Sequence, residues 1–280
     1  MTQLKFTKMH GLGNDFVIID DRDGALKLSL DSVRAISDRR WGVGCDQFIV
    51  LEPASDPDAD VFMRIYNPDG SQSGACGNAT RCVASLLITE TGRTEAIVQT
   101  TAGLLDCENL GGGQFSVDMG PAKADWRDLP LSKAMDTDHI DLTVGPLGDG
   151  VGVNVGNPHV VFMVDDVDTI DLATYGPKIE THDLFPQHTN VEIVQVLAPE
   201  KIRMRVWERG AGITQACGSG ACAALVATAR RGLTNRKADV ILDGGVLTID
   251  WRPDNTVLMT GPVFHSFQGS LDLDGLEPKP

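Results

Sequence analysis

The sequence predicts an α+β protein of two pseudo-symmetric domains, each a curled, mostly antiparallel sheet around a central helix. Three observations carry this: a long-period internal repeat, strand-like runs that outnumber helical ones, and a cysteine-led helix at matching places in the two halves. With 280 residues and 42% hydrophobic side chains, the chain has apolar surface for one large core or two ordinary ones.

The repeat comes first because it governs every other assignment. MRIYNPDGSQSGACGN, Met63 to Asn78, aligns without a gap to MRVWERGAGITQACGS, which lies 141 positions further on at Met204 to Ser219. Both begin Met-Arg, continue with a β-branched and an aromatic residue, and end Ala-Cys-Gly before a small polar side chain. The same offset carries Gly120-Pro121 onto Gly261-Pro262. Near the start of each half, Gly13-Asn14-Asp15-Phe16 matches Gly156-Asn157-Pro158-His159, with a register change that one loop insertion produces. Gln47 then falls opposite Asn190. The expected division is an N-terminal lobe over residues 1–125 and a C-terminal lobe over 126–263, with the tail, about 264–280, packing back on the first and the active site in the cleft between the lobes.

In chain order, Phe16 to Asp20, Phe48 to Leu51, Phe62 to Tyr66, Ile97 to Thr100 and Phe115 to Met119 have strand composition punctuated by Gly or Pro. Between the first two, Ser29 caps a helix that runs through Val33 and Trp41 to a stop at Gly42. The other two helices open at cysteines, Gly77 to Ile88 before Gly92, and Gly218 to Arg231 before Gly232.

Those two helix starts carry the chemistry. Each thiol, Cys76 and Cys217, sits where free backbone N–H groups and the positive end of the helix dipole converge, a place that favours a thiolate. The same donors suit a carboxylate. Two such ends related by the repeat would place one sulfur on each side of a substrate's α-carbon. Inverting a stereocentre by proton transfer needs that arrangement: a base on one face, an acid on the other, and exchange of roles on reversal. Thiols fit because their reference pKa, roughly 8.5, is within reach of working pH. A free cysteine is more often a small buried hydrophobe, and Cys45, Cys82, Cys107 and Cys222 read that way. No spacing suits zinc, and there is no pyridoxal or nucleotide motif, so no metal or cofactor is expected.

A net charge of −15 leaves no basic stripe for nucleic acid or an anionic membrane. The N-terminus lacks an apolar signal region and no segment reaches the apolar length of a membrane span, so a cytoplasmic protein acting on a small molecule is expected.

The chain resembles the diaminopimelate epimerase family from Phe6 to about Phe267. The resemblance rests on Met9-His10-Gly11-Leu12-Gly13-Asn14-Asp15-Phe16, Gly44-Cys45-Asp46-Gln47, Asn67-Pro68-Asp69-Gly70-Ser71 leading to Cys76-Gly77-Asn78-Ala79-Thr80-Arg81, Gly156-Asn157-Pro158-His159, and Glu208-Arg209-Gly210-Ala211-Gly212 leading to Cys217-Gly218-Ser219-Gly220. It implies interconversion of LL- and meso-2,6-diaminopimelate on the route to lysine and peptidoglycan, without cofactor, within a homodimer. By the same resemblance Cys76 and Cys217 are the acid/base pair, and Gly77, Asn78, Gly218 and Ser219 donate to the reacting carboxylate. His159 and Glu208 tune the thiols and handle the α-ammonium. Asn14, Gln47, Asn67, Asn157, Asn190 and Arg209 form the substrate cage, Arg209 matching the distal carboxylate by charge and fork geometry. Ile213 and Cys45 depart from the family's usual residues, outside this chemistry.

Taken alone, an Asn after Gly is more often a turn residue than a ligand, and only the pairs Asn14/Asn157 and Gln47/Asn190 raise it above that. His159 stands at the repeat position of Phe16, a polar departure inside a symmetric frame of the kind that marks functional sites. The alternative readings are a proline or hydroxyproline racemase of the same architecture, a thiol hydrolase pairing one cysteine with His159, and a two-lobed binding protein. The hydrolase leaves the second cysteine and the repeat unexplained.

Overall fold

A computed structural model describes residues 3–272 of the chain. In order, the elements are β1 (Gln3–Gly11), β2 (Asn14–Asp20), α1 (Leu30–Ser37), β3 (Gln47–Glu52), β4 (Val61–Tyr66), β5 (Gln72–Ser73), α2 (Gly77–Thr91), β6 (Glu95–Thr100), β7 (Gly103–Gly111) and β8 (Gln114–Pro121). Then follow β9 (Ile140–Val144), β10 (Leu147–Asn154), β11 (Pro158–Met163), α3 (Leu172–Glu180), β12 (Asn190–Ala198), β13 (Lys201–Glu208) and β14 (Gly212–Ile213). Last come α4 (Gly218–Arg230), β15 (Lys237–Leu242), β16 (Gly245–Trp251), β17 (Thr256–Pro262) and β18 (Phe264–Asp272).

The chain divides into two compact units, Met1–Val117 with Gly261–Pro280, and Asp118–Thr260, and passes between them within β8 and again within β17. In the first unit β18 pairs with β1, β1 with β2, β3 with β4, β6 with β7 and β7 with β8, all antiparallel, while β2–β3 and β4–β6 run parallel. The second unit repeats the scheme, with β9–β10, β10–β11, β12–β13, β15–β16 and β16–β17 antiparallel and β11–β12 and β13–β15 parallel. Register repeats as well: Phe16 faces Gln47 in one unit as His159 faces Asn190 in the other. Residues 273–280 of the tail lie outside the described residues.

The helices opened by Cys76 and Cys217 are central, and each is buried along most of its length. In α2, Ala79 to Ser85 are all buried, and the helix packs on β1, β6 and β7. In α4, Gly220 to Thr228 are buried among β10, β11, β12, β13, β15 and β16. Gly92 ends α2 in the left-handed region, φ 71°, with its N–H on Ile88 O. Among the described residues no helix is long and apolar enough to cross a membrane.

Two helices differ from the sequence expectation. Ser29 caps α1 through a 3.1 Å hydrogen bond from Ser32 N–H, but the helix stops at Ser37 instead of reaching Gly42. Asp38 turns extended, and its carboxylate accepts from the backbone N–H groups of Arg40 and Trp41 at 2.7 and 2.9 Å, a local alternative to the helical ladder. The second is α3, capped by Asp171 and holding Gly176 and Pro177 in its interior, which the sequence does not announce. Gly176 is required by the close approach of Trp207, whose Cγ would lie 2.6 Å from a Cβ there.

Candidate active site

In the first unit, Leu12 and Gly13 form the two-residue turn between β1 and β2 with positive φ at both, 56° and 85°, as a primed hairpin turn requires. The turn sets Asn14 at the start of β2, where its side-chain amide donates to Asp46 Oδ2 at 3.0 Å. Asn14 Oδ1 then accepts from Asn78 Nδ2 at 3.2 Å and from the Cys76 thiol at 3.9 Å. Arg81, fully buried one turn into α2, fixes Asn78 by donating to its Oδ1 at 2.9 Å. Cys76 is the N-cap residue of α2 and half-buried, so Gly77 and Asn78 supply first-turn N–H groups that no helical carbonyl reaches. Gln47 Nε2 donates to Asn67 Oδ1 at 3.3 Å, and Asn67 in turn donates to Ser71 Oγ at 3.0 Å.

In the second unit, Cys217 caps α4. Its sulfur accepts from Gly220 N–H at 3.3 Å and lies 3.5 Å from Ser219 Oγ. Cys217 is only 5% exposed, and burial, followed by Glu208 and by Glu192 when it is ionised, raises the thiol's pKa well above the ordinary value. At this helix start desolvation, the largest influence, and the Glu208 carboxylate outweigh the Ser219 and Gly220 hydrogen bonds, so Cys217 rests as a thiol. His159 is fully buried, with Nε2 at 2.8 Å from Asn157 Oδ1 and Nδ1 at 2.7 Å from Glu192 Oε1. Asn190 Oδ1 accepts from the backbone N–H of Arg209 at 2.9 Å, and Glu208 accepts from the Thr214 hydroxyl. Arg209 itself is exposed, with one guanidinium nitrogen on Gln187 O at 3.1 Å.

Asn14 and Asn78 thus meet at Cys76, and Ser219, Glu208 and Glu192, the partner of His159, lie about Cys217, while Gln47 pairs with Asn67 and Asn190 with the Arg209 backbone. Cys45, Cys82, Cys107 and Cys222 are buried, and burial pushes Cys82 and Cys107 up to about 12, which keeps them protonated. Among the described residues no cluster of three or more His, Cys, Asp or Glu is arranged to hold a metal. Sequence reasoning gives no role to Glu192, Arg81 and Asp46, the partners of His159, Asn78 and Asn14, although Arg81 and Asp46 stand within its motifs. Two of the three carry a signal it had already used, a polar residue where the repeat is apolar. Glu192 stands where β3 has Ile49, and Arg81 where α4 has Cys222.

The pattern that defines the family described as "Diaminopimelate epimerase" matches residues 6–124 and 151–265. The diaminopimelate epimerase of Rhodospirillum centenum is 60% identical over 267 residues, covering 95% of this chain and 92% of that protein. That of Acidiphilium cryptum is 51% identical over 273 residues, 98% of each chain. Among solved structures, a hydroxyproline epimerase from Agrobacterium vitis superposes with a TM-score of 0.70 at 14% identity, covering 96% of this chain and 92% of that one. A PhzF-family phenazine biosynthesis protein of Bacillus anthracis gives 0.69 at 15% identity, over 97% and 99%. At such identities the structures speak for the fold alone.

Proposed function

The chain belongs to the diaminopimelate epimerase family and interconverts LL- and meso-2,6-diaminopimelate, and on that premise we propose that Cys76 and Cys217 invert the α-carbon between them by two-base proton transfer. The observation that carries the proposal is the matched placement of the two thiols, each the N-cap residue of the buried central helix of its unit. In one direction Cys76, as thiolate, removes the α-hydrogen while Cys217, resting as a thiol, protonates the opposite face. In the other direction the roles exchange.

The reacting carboxylate is held by the first-turn N–H groups of Gly77, Asn78, Gly218 and Ser219, which stabilise the charge that develops as the carbanion forms. Glu208 takes the α-ammonium and, with His159, adjusts the thiols. Asn14, Gln47, Asn67, Asn157 and Asn190 hold the rest of the zwitterion with amides that both donate and accept. Arg209, exposed and charged, receives the distal carboxylate. The chemistry needs no cofactor, and we place the enzyme in the cytoplasm, as a homodimer, feeding lysine and peptidoglycan precursors.

The test is α-hydrogen exchange from deuterated water with LL- and meso-diaminopimelate. The wild type is expected to wash in deuterium at the centre it inverts, and Cys76→Ala and Cys217→Ala each to lower inversion by at least about a hundredfold. Full inversion by either variant would end the two-thiol reading, and exchange of proline with neither diaminopimelate isomer would overturn the substrate.

A further inference from the structure

Glu192 lies two residues beyond Asn190 on β12, so the two side chains leave the strand on the same face. It is fully buried, faced by His159 from β11, Glu208 from β13 and Cys217 from α4. The His159 ring bridges Glu192 Oε1 and Asn157 Oδ1 at 2.7 and 2.8 Å. An amide oxygen only accepts, so Nε2 carries a hydrogen. One proton is then shared between Nδ1 and the carboxyl. Glu192 Oε2 is buried and has no hydrogen-bond partner among the described residues. A bare oxygen is tolerable on a neutral carboxyl and costly on an ionised carboxylate removed from water. Burial, the largest influence, also moves the Glu192 carboxyl upward, against the pull of His159. The proton therefore sits on Oε1, and the hydrogen bonds run one way, from Glu192 to His159 Nδ1 and from Nε2 to Asn157.

The repeat supplies an independent mark. The first-unit counterpart of Glu192 is Ile49, and the counterpart of Gly220 on the facing helix is Ala79. A Cβ on Gly220 would stand 2.9 Å from Glu192 Oε1 and 3.2 Å from Cys217 Sγ. Where the strand carries a carboxyl the helix gives up its side chain, and the carboxyl and the thiol flank one point at the start of α4.

We propose that Glu192 is a positioning residue of the Cys217 half of the site, a neutral acid that donates to His159 Nδ1 and holds the ring as its Nε2–H tautomer aimed at Asn157. The inference rests on the two-thiol reading. Its consequence is electrostatic as well as geometric. Glu208 already disfavours the Cys217 thiolate, and a second ionised carboxylate beside it would do so further, whereas a protonated Glu192 adds no charge.

The experiment uses the full-length enzyme with nitrogen-15-labelled histidine, comparing wild type, Glu192→Gln and Glu192→Ala by NMR and by inversion rate, with Cys217→Ala in parallel. In wild type and Glu192→Gln, His159 is expected to be neutral, protonated on Nε2 and accepting at Nδ1. Glu192→Ala should lose that fixed tautomer and lower kcat by on the order of ten- to a hundredfold with little change in KM, the scale on which carboxylates that orient a histidine act. Glu192→Gln, which keeps a donor, should recover most of that loss. An Nδ1-protonated or imidazolium His159 in the wild type overturns the proposal, as does a glutamine variant no faster than the alanine one. If the alanine variant does not fold, the wild-type tautomer and the glutamine variant's rate still decide. Inversion surviving Cys217→Ala instead removes the two-thiol reading, whatever the tautomer of His159.

Discussion

Asp15 anchors the loop that presents Asn14, and its surroundings make a pH-dependent contribution to stability. Burial alone would raise its carboxyl, but hydrogen bonds from Arg39 and Lys8, together with their charges, outweigh burial and draw it from 3.8 down to about 2. The stabilisation is therefore fully present above about pH 4, where the unfolded chain also holds Asp15 ionised, and is lost as pH falls through 2. Arg39 is 57% exposed on its side chain, so solvent screening limits the effect to on the order of 1–2 kcal/mol. Asp15→Asn should be less stable than wild type at pH 6 in urea unfolding, and the gap should narrow by that amount at pH 2; a gap that stays constant with pH would refute the assignment. The sequence makes Asn14 legible through its repeat partner Asn157, but Asp15 has Pro158 opposite it and no repeat signal. Its role depends on Lys8 and Arg39 arriving from other segments, a contact that spacing cannot express. Glu192 is the contrary case, since its asymmetry with Ile49 was present in the sequence and only its contact with His159 was hidden.

At the scale of elements, helices with chemical punctuation are the ones the sequence announces. α2 and α4 are bounded by a cysteine at the start and a glycine near the end, and their bounds differ from expectation by three residues or fewer. Gly92 shows why such a signal works. Its left-handed conformation at φ 71° closes α2, and nothing lies within 4 Å of where a Cβ would stand, so the glycine is needed for its backbone and not for space. Gly92→Ala should lower stability by about 1 kcal/mol while leaving the rate of inversion unchanged, as read by denaturant midpoint and deuterium wash-in. A stability equal to wild type would mean that α2 ends by another device. α3 was illegible for the opposite reason. Gly176 and Pro177 argue locally against a helix, and what overrides them is tertiary: Leu172 and Ile179 are buried in the core of the second unit, and Gly176 fits against Trp207. α1 is shorter than its sequence suggests because the Asp38 side chain caps a turn instead of continuing the helix.

For the whole molecule, the internal repeat does most of the predictive work, since it yields two like units, the matched cysteines and the shared register from one alignment. It does not reach β18, which enters the first unit from the far end of the sequence to pair with β1. That strand bears on the proposed homodimer. Apart from Gly269, Leu271 and Asp272, its residues are exposed, and Phe264 and Phe267 are 49% and 50% exposed although they pack against His10 and Phe6. Two half-exposed aromatic rings on a strand that pairs, among the described residues, with β1 form a surface that proteins ordinarily cover. If a second copy covers it, each ring's free half contributes about 1 kcal/mol on association, so two rings on two copies are worth about 4 kcal/mol, or roughly a thousandfold in Kd. Light scattering on the eluting wild type should therefore give twice the 30.0 kDa of one chain. The double replacement Phe264→Asp with Phe267→Asp should shift the dissociation constant upward by at least that factor, because it also brings like charges together in a chain of net charge −15. A wild type that elutes as a single chain would remove the homodimer, and a double variant still dimeric at the lowest measurable concentration would move the interface away from β18.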